Sequence, residues 1–294
     1  MRRTDLALEE KESIKGNQEI PGVVLEQEKM EQEKVKISKV QIKDEKGSKI
    51  MRKPIGSYIT IESEDMEIEG IEEIICNQLK KLMGNFQKEK ILIVGLGNRE
   101  ITPDALGPKV VDRLFVTRHL IREFGKEFQK RNHFLEMCAL APGVMAQTGM
   151  ESREILQGVI KNVMADVIIV IDALAARNVG RLNRTVQITD TGISPGAGVG
   201  NNRKALNKET LGVDVIAIGV PTVVDAETIV EDRVEESLLQ AGFSEDEVKV
   251  FLNEVQFRRE QNMFVTTKDV DEEINKMSEI ISDALNCLCC KSNI

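Results

Sequence analysis

Apolar residues fall along this chain in two rhythms. Short unbroken runs at Ile91–Val94 (ILIV), Val167–Ile171 (VIIVI) and Val215–Ile218 (VIAI) are bounded by polar turns, the pattern of central parallel strands covered on both faces. Leu135–Leu140 and Thr185–Ile188 predict two more strands. Between the runs the period changes. From about Asp65 onward, Met66, Ile68, Ile71, Ile74, Ile75, Leu79 and Leu82 recur mostly at steps of three and four, and the same step predicts helices over Lys109–Phe124, Ser152–Val163, Ala226–Leu239 and Asp269–Leu288. Pro108 falls where a first-turn proline is tolerated, and Asp269 or Thr267 is placed to cap the last helix. Alternation of strand and helix makes an α/β fold with a mostly parallel central sheet flanked by helices. Right-handed crossovers then bring the strand ends to one rim, where sites form in such sheets. The first 64 residues read differently: they are rich in charge, with strand-like alternation at Val35–Ile42 and Tyr58–Glu62. We expect a small N-terminal region of antiparallel strands and solvated loops over 6–64, ahead of a core over 65–294 in the same domain.

Composition sharpens this picture. The 294 residues suit one large domain with a sizeable core. Aromatics are 3%, with no Trp and Tyr58 as the sole Tyr, so the core must be aliphatic. A net charge of −9 repels nucleic-acid phosphates and argues against direct DNA binding. Five cysteines, Cys76, Cys138, Cys287, Cys289 and Cys290, lack a disulfide framework and point to reduced thiols in a cytosol. The last three are candidate ligands for a soft metal, but both histidines are distant in sequence and a structural zinc site needs a fourth ligand. The apolar runs are too short for a membrane span or a signal peptide, so a cytoplasmic location without a membrane partner is expected.

The candidate chemistry begins at ILIVGLGNREITPDALGPKVV, residues 91–111. Gly95 and Gly97 open a dinucleotide fingerprint, but the third glycine is replaced by Glu100, whose charge opposes a pyrophosphate. A Walker loop is absent. Asp104, in a Pro-Asp turn, is read either as a helix N-cap or as a functional carboxylate. Asp172 follows VIIVI directly, among small apolar residues at the expected end of a central strand, where an ionised Asp needs a partner. Two carboxylates at neighbouring strand ends make an acid–base pair: proximity raises one pKa, and the other carboxylate activates water. Three loops, 141–149, 190–201 and 219–226, are expected to ring the same rim, their glycines suited to gripping an extended peptide or an oxyanion or simply to turning the chain. Asp225 reads as the cap of the helix after it. There is no H-E-x-x-H. His119 and His133 belong to no motif, and Cys138 lies inside a strand.

GLGNREITPDALGPKVVDRL, APGVMAQTGMES, VIIVIDALAAR, DTGISPGAGVGNNRKALNKETLGVDVIAIGVPTVVDA and the N-terminal RTDLALEE together resemble the germination protease (spore protease) family of spore-forming bacteria; the likeness returns at MFVTTKDVDEEI. The resemblance implies a fold like that of hydrogenase maturation proteases. It also implies a cytoplasmic endopeptidase of the spore core that degrades small acid-soluble spore proteins at germination. Such an enzyme is made as a homotetrameric zymogen that removes its own N-terminal segment, and no cofactor is expected. The family is an atypical aspartic type whose two proposed catalytic aspartates lie in the T-P-D-A-L-G-P and I-D-A-L-A-A-R motifs, here Asp104 and Asp172. The stretch from Arg3 to Ala7 resembles both the family's processing site and its substrates' cleavage sequence, which predicts a cut between Asp5 and Leu6 and a propeptide of residues 1–5. The stretch from Asp232 to Gln261 is compact where family members carry a longer insertion. Two rival readings are a metal-assisted peptidase with the same acids as ligands, and a nucleotide-binding or scaffold protein.

Overall fold

A computed structural model describes residues 4–14, 19–30, 34–84, 90–196, 204–254 and 263–290. Among these residues one nine-stranded sheet runs through the molecule in the order β1-β2-β3-β7-β8-β6-β4-β5, with β9 added to β8. Its strands are β1 Val23–Met30, β2 Val35–Ile42, β3 Gly56–Ser63, β4 Lys90–Gly95, β5 Glu136–Leu140, β6 Val167–Ala176, β7 Thr185–Thr189, β8 Asp214–Asp225 and β9 Phe264–Val265. The apolar runs form the parallel block β5-β4-β6-β8. Beyond it β7, β3, β2 and β1 continue the sheet antiparallel, so the N-terminal strands belong to the main sheet.

The helices are α1 Ala7–Ser13, α2 Glu45–Met51, α3 Ile71–Met83, α4 Leu106–Asp112, α5 Arg118–Asn132, α6 Met145–Thr148, α7 Ser152–Val163, α8 Lys208–Leu211, α9 Ala226–Gln240, α10 Glu245–Glu254 and α11 Val270–Cys289. The alternation of side chains in the strands divides the core in two. Ile91, Ile93, Ile169 and Ile171 face a layer made by α3, α4 and α11, whereas Leu92, Val94, Ile168 and Val170 face α7 and α8. Burial on both faces accounts for the unbroken apolar runs. Asp225 caps α9, accepting from Glu227 N, as its position in sequence suggested.

Several expectations are corrected. The helix expected over Lys109–Phe124 is broken after Asp112 and resumes at Arg118 as α5. Tertiary bonds capture the backbone between: Phe115 N donates to Asn286 Oδ1, and Thr117 N to Met137 O. His119 therefore lies at the start of α5. The helix expected from Asp65 begins at Ile71, although Met66 still packs into the core through a turn. Asp172 is inside β6, which runs on to Ala176. The expected loop 219–226 is largely strand, since β8 pairs with β6 as far as Val224. Pro221 is accommodated there because the register shifts between Leu174 and Ala175, and proline in a sheet is confined to such irregularities. The charge-rich α1, α2 and β1 carry no periodicity that announced them.

Candidate active site

The strand β4 stops at Gly95, and its continuation Leu96-Gly97-Asn98 folds over the turn that holds Asp104. Gly97 has φ +111°, and a Cβ there would lie 1.9 Å from Asp104 O; only glycine allows this crossing. A Cβ on Gly95 would likewise meet Gly107 O at 2.1 Å. These glycines serve the close packing of the chain on itself. Asp104 sits in a short 3-10 turn over Thr102–Asp104, and the N-cap of α4 is Ala105. The carboxylate instead accepts from Asn98 N at 2.8 Å, which corrects its reading as a cap. Thr222 Oγ1 donates to Pro103 O at 2.7 Å, and Thr102 Oγ1 to Asp271 Oδ1 at 2.8 Å. The turn is thereby tied to β8 and to the start of α11.

Leu96 N donates to Ile171 O at 2.8 Å, so the β4 turn lies beside the residue preceding Asp172. Past Ile171, β6 keeps β8 on one side but has lost β4 on the other. Asp172 is only 6% exposed and opens, with Asp104, onto one cavity of about 690 Å³. Leu96, Gly97, Ser152, Leu174, Thr222 and Phe264 are among its other walls. The structure thus brings the two sequence-predicted acids to one cavity, one from the 3-10 turn that follows β4 and one from the middle of β6.

Asp5 lines the same cavity. Its N–H donates to Ala175 O at 2.9 Å, and its Oδ2 accepts from Ala175 N at 2.9 Å. Ala175 is four residues beyond Ile171, so by the two-residue period its backbone groups face the side that β4 vacated. The N-terminal segment occupies that edge. Leu6 is fully buried against Leu174, Ala176, Leu182 and Val224, and Leu8 packs beside Val40, Ile42, Met51 and Tyr58. Glu9 anchors the segment: Oε2 accepts from Arg177 N at 2.7 Å and from Thr4 Oγ1, and Oε1 accepts from Asn178 N at 3.0 Å. Arg181 Nη1 lies 3.2 Å from Glu9 Oε1. The Asp5 carbonyl accepts from Lys53 Nζ at 2.9 Å and Gln187 Nε2 at 3.2 Å.

Of the expected loops, 190–201 contributes Pro195 and Gly196 to the cavity, while 197–201 lie outside the described residues. The loop 141–149 forms α6 and reaches the site indirectly, Gln147 Nε2 donating to Asn98 Oδ1. Arg3 of the expected processing motif, and residues 255–261 of the compact region, also lie outside the described residues. Sequence reading passed over Glu9, Lys53 and Gln187. Glu9 and Lys53 sit among many other charges and give no signal; Gln187 does, as a polar residue in a short strand between apolar neighbours. Among the described residues, no three or more His, Cys, Asp or Glu side chains converge as a metal site requires, and no helix is long and apolar enough to cross a membrane.

Residues 1–243 match a peptidase family model described as germination protease; by class, then, the chain is a protease. Relatives with the name germination protease include those of Caldanaerobacter subterraneus subsp. tengcongensis, 42% identical over 97% of this chain and 93% of that protein, Clostridium tetani, 42% identical over 97% and 94%, and Priestia megaterium, 38% identical over 97% and 92%. The chain belongs to the germination protease family. Among solved structures, a [NiFe] hydrogenase maturation protease, HycI from Thermococcus kodakarensis KOD1, is similar with a TM-score of 0.35 and 18% identity, over 71% of this chain and 98% of that one.

Proposed function

We propose that this protein is an atypical aspartic-type endopeptidase in which Asp104 and Asp172 together activate a water for attack on a peptide carbonyl, and that it is made as a zymogen that cuts itself between Asp5 and Leu6. Residues 1–5 are then the propeptide. The observation that carries this reading is that Asp5 lines the cavity of the two acids while its own backbone and side chain bond to Ala175 on the neighbouring strand edge. One carboxylate takes a proton from the water and the other, protonated, assists the leaving nitrogen. The protein substrates are small acid-soluble spore proteins, degraded as spores germinate, and the enzyme works in the spore core as a homotetramer. Its net charge of −9 keeps it from adhering to the DNA those substrates cover.

Incubating the purified chain alone, and then with such a spore protein, followed by mass spectrometry, tests the proposal. The expected result is loss of residues 1–5 and endoproteolysis of the added protein, both absent from a folded Asp172→Asn variant. Activity is expected to survive exhaustive chelation; loss restored by added metal overturns the metal-free mechanism. An Asp172→Asn protein that still processes itself overturns the role of the acid pair.

A further inference from the structure

The carbonyl of Asp5 belongs to the bond proposed to be cut, and the structure surrounds its oxygen with donors. Lys53 Nζ stands 2.9 Å away and Gln187 Nε2 3.2 Å away. The Lys53 backbone and the Gln187 side chain are both held in place. Lys53 lies between a left-handed Arg52 (φ 52°) and Pro54, with its carbonyl accepting from Ser48 Oγ at 2.7 Å. Gln187 is buried in β7, and its Oε1 accepts from Ala7 N at 2.7 Å, which orients the amide so that its NH2 points at Asp5. Asp5 lines two cavities, one holding Asp104 and Asp172, the other holding Lys53 and Gln187. One donor is enough to satisfy a carbonyl; this part-buried one has two, one of them a cation.

We propose that Lys53 and Gln187 form the oxyanion site for cleavage of the Asp5–Leu6 bond, and are catalytic residues of the self-processing reaction. The assignment rests on the reading that the chain is cut after Asp5. The water oxygen bonds to the Asp5 carbonyl carbon as its proton passes to a carboxylate of the acid pair. The carbonyl π electrons move onto oxygen, where the Lys53 ammonium and the Gln187 amide stabilise the charge. The C–N bond then breaks, the oxygen's electron pair re-forms the double bond, and the Leu6 nitrogen takes a proton, leaving a carboxyl group on Asp5 and an amine on Leu6. Donors at these distances tighten as charge develops, which is how such sites lower the barrier.

The test uses the full chain with Lys53→Met and Lys53→Arg, reading the first-order rate of self-cleavage and the cut position by mass spectrometry, and the hydrogen exchange of the Leu6, Ala7 and Leu8 amides. Removing one such donor is worth about 100- to 1000-fold in rate. Lys53→Met is expected to slow cleavage by that factor at an unchanged bond and with unchanged exchange, and Lys53→Arg to restore most of the rate. Lys53→Leu, which also lacks a donor, is read the same way if the Met variant fails to fold. A Lys53→Met rate within threefold of the unmutated chain overturns the oxyanion assignment alone. Slower cleavage accompanied by faster exchange also overturns it, making Lys53 a strap for the segment. An unmutated chain that cuts elsewhere, or not at all, overturns both the self-processing reading and this one.

Discussion

The N-terminal segment is held by one buried carboxylate, and its removal is the most direct test of how the site is filled. The Glu9 side chain is 2% exposed and accepts from the Arg177 and Asn178 amides at 2.7 and 3.0 Å. Arg181 keeps other partners, Glu12 and Glu62, each at 2.8 Å, so truncating Glu9 does not orphan the guanidinium. It does orphan two shielded N–H donors. Hydrogen bonds to a charged group are worth roughly 1.5–3 kcal/mol each, which sets the cost of Glu9→Ala at roughly 3–6 kcal/mol; Glu9→Gln, keeping one acceptor, costs about half of that. Burial of Leu6 and of Leu8 contributes roughly 1.5–3 kcal/mol apiece, so the loss is comparable with the whole apolar hold on the segment. The loss should therefore appear as local opening. Hydrogen exchange at the amides of residues 6–10 should accelerate about 100-fold or more in Glu9→Ala, at roughly 1.4 kcal/mol per factor of ten, while amides in the middle of β6 stay protected. Acceleration below about threefold, or equal acceleration in β6, would refute the claim that Glu9 is the anchor.

Three further outcomes follow from the same geometry. Gly97→Ala should destabilise the fold by roughly 2 kcal/mol or more and abolish peptidase activity, since its Cβ would collide with the Asp104 carbonyl at 1.9 Å and its φ is one that L residues avoid; thermal unfolding and peptide hydrolysis read both effects. Burial, partly offset by Lys53 and Arg52, raises the Glu10 carboxyl above its ordinary value. The fold then prefers the protonated acid, so this contribution to stability is complete below about pH 4.5 and is lost as pH rises through the folded pKa. Denaturant midpoints measured across that range should show the loss in the unmutated chain and a flatter profile in Glu10→Gln. Asp104→Asn should leave the Asn98 amide an acceptor and preserve the fold, yet stop self-processing as Asp172→Asn does; a processed Asp104→Asn chain removes that residue from the mechanism.

The parallel block was legible because strands buried on both faces must be apolar at every position, as ILIV, VIIVI and VIAI are. The helices α7 and α11 were legible for the complementary reason, an apolar stripe facing that block. Asp104 and Asp172 stood out because a carboxylate beside an apolar strand must be justified by a partner or a role. The same local rules misplaced Asp172 at a strand end and read Gly219–Asp225 as a loop, since glycine and proline usually mark turns; the β6–β8 pairing with its shifted register overrides them. Nothing in the charge-rich start announced that Glu9 would be buried, or that Lys53 and Gln187 would meet the Asp5 carbonyl across 48 and 182 residues of chain. Apolar periodicity is a property of neighbours in sequence, and so the sequence alone settled the central strands and most of the helices around them. The edge that β4 leaves open on β6, and the segment that fills it, depend on where separate strands stop relative to one another, which only the assembled sheet decides.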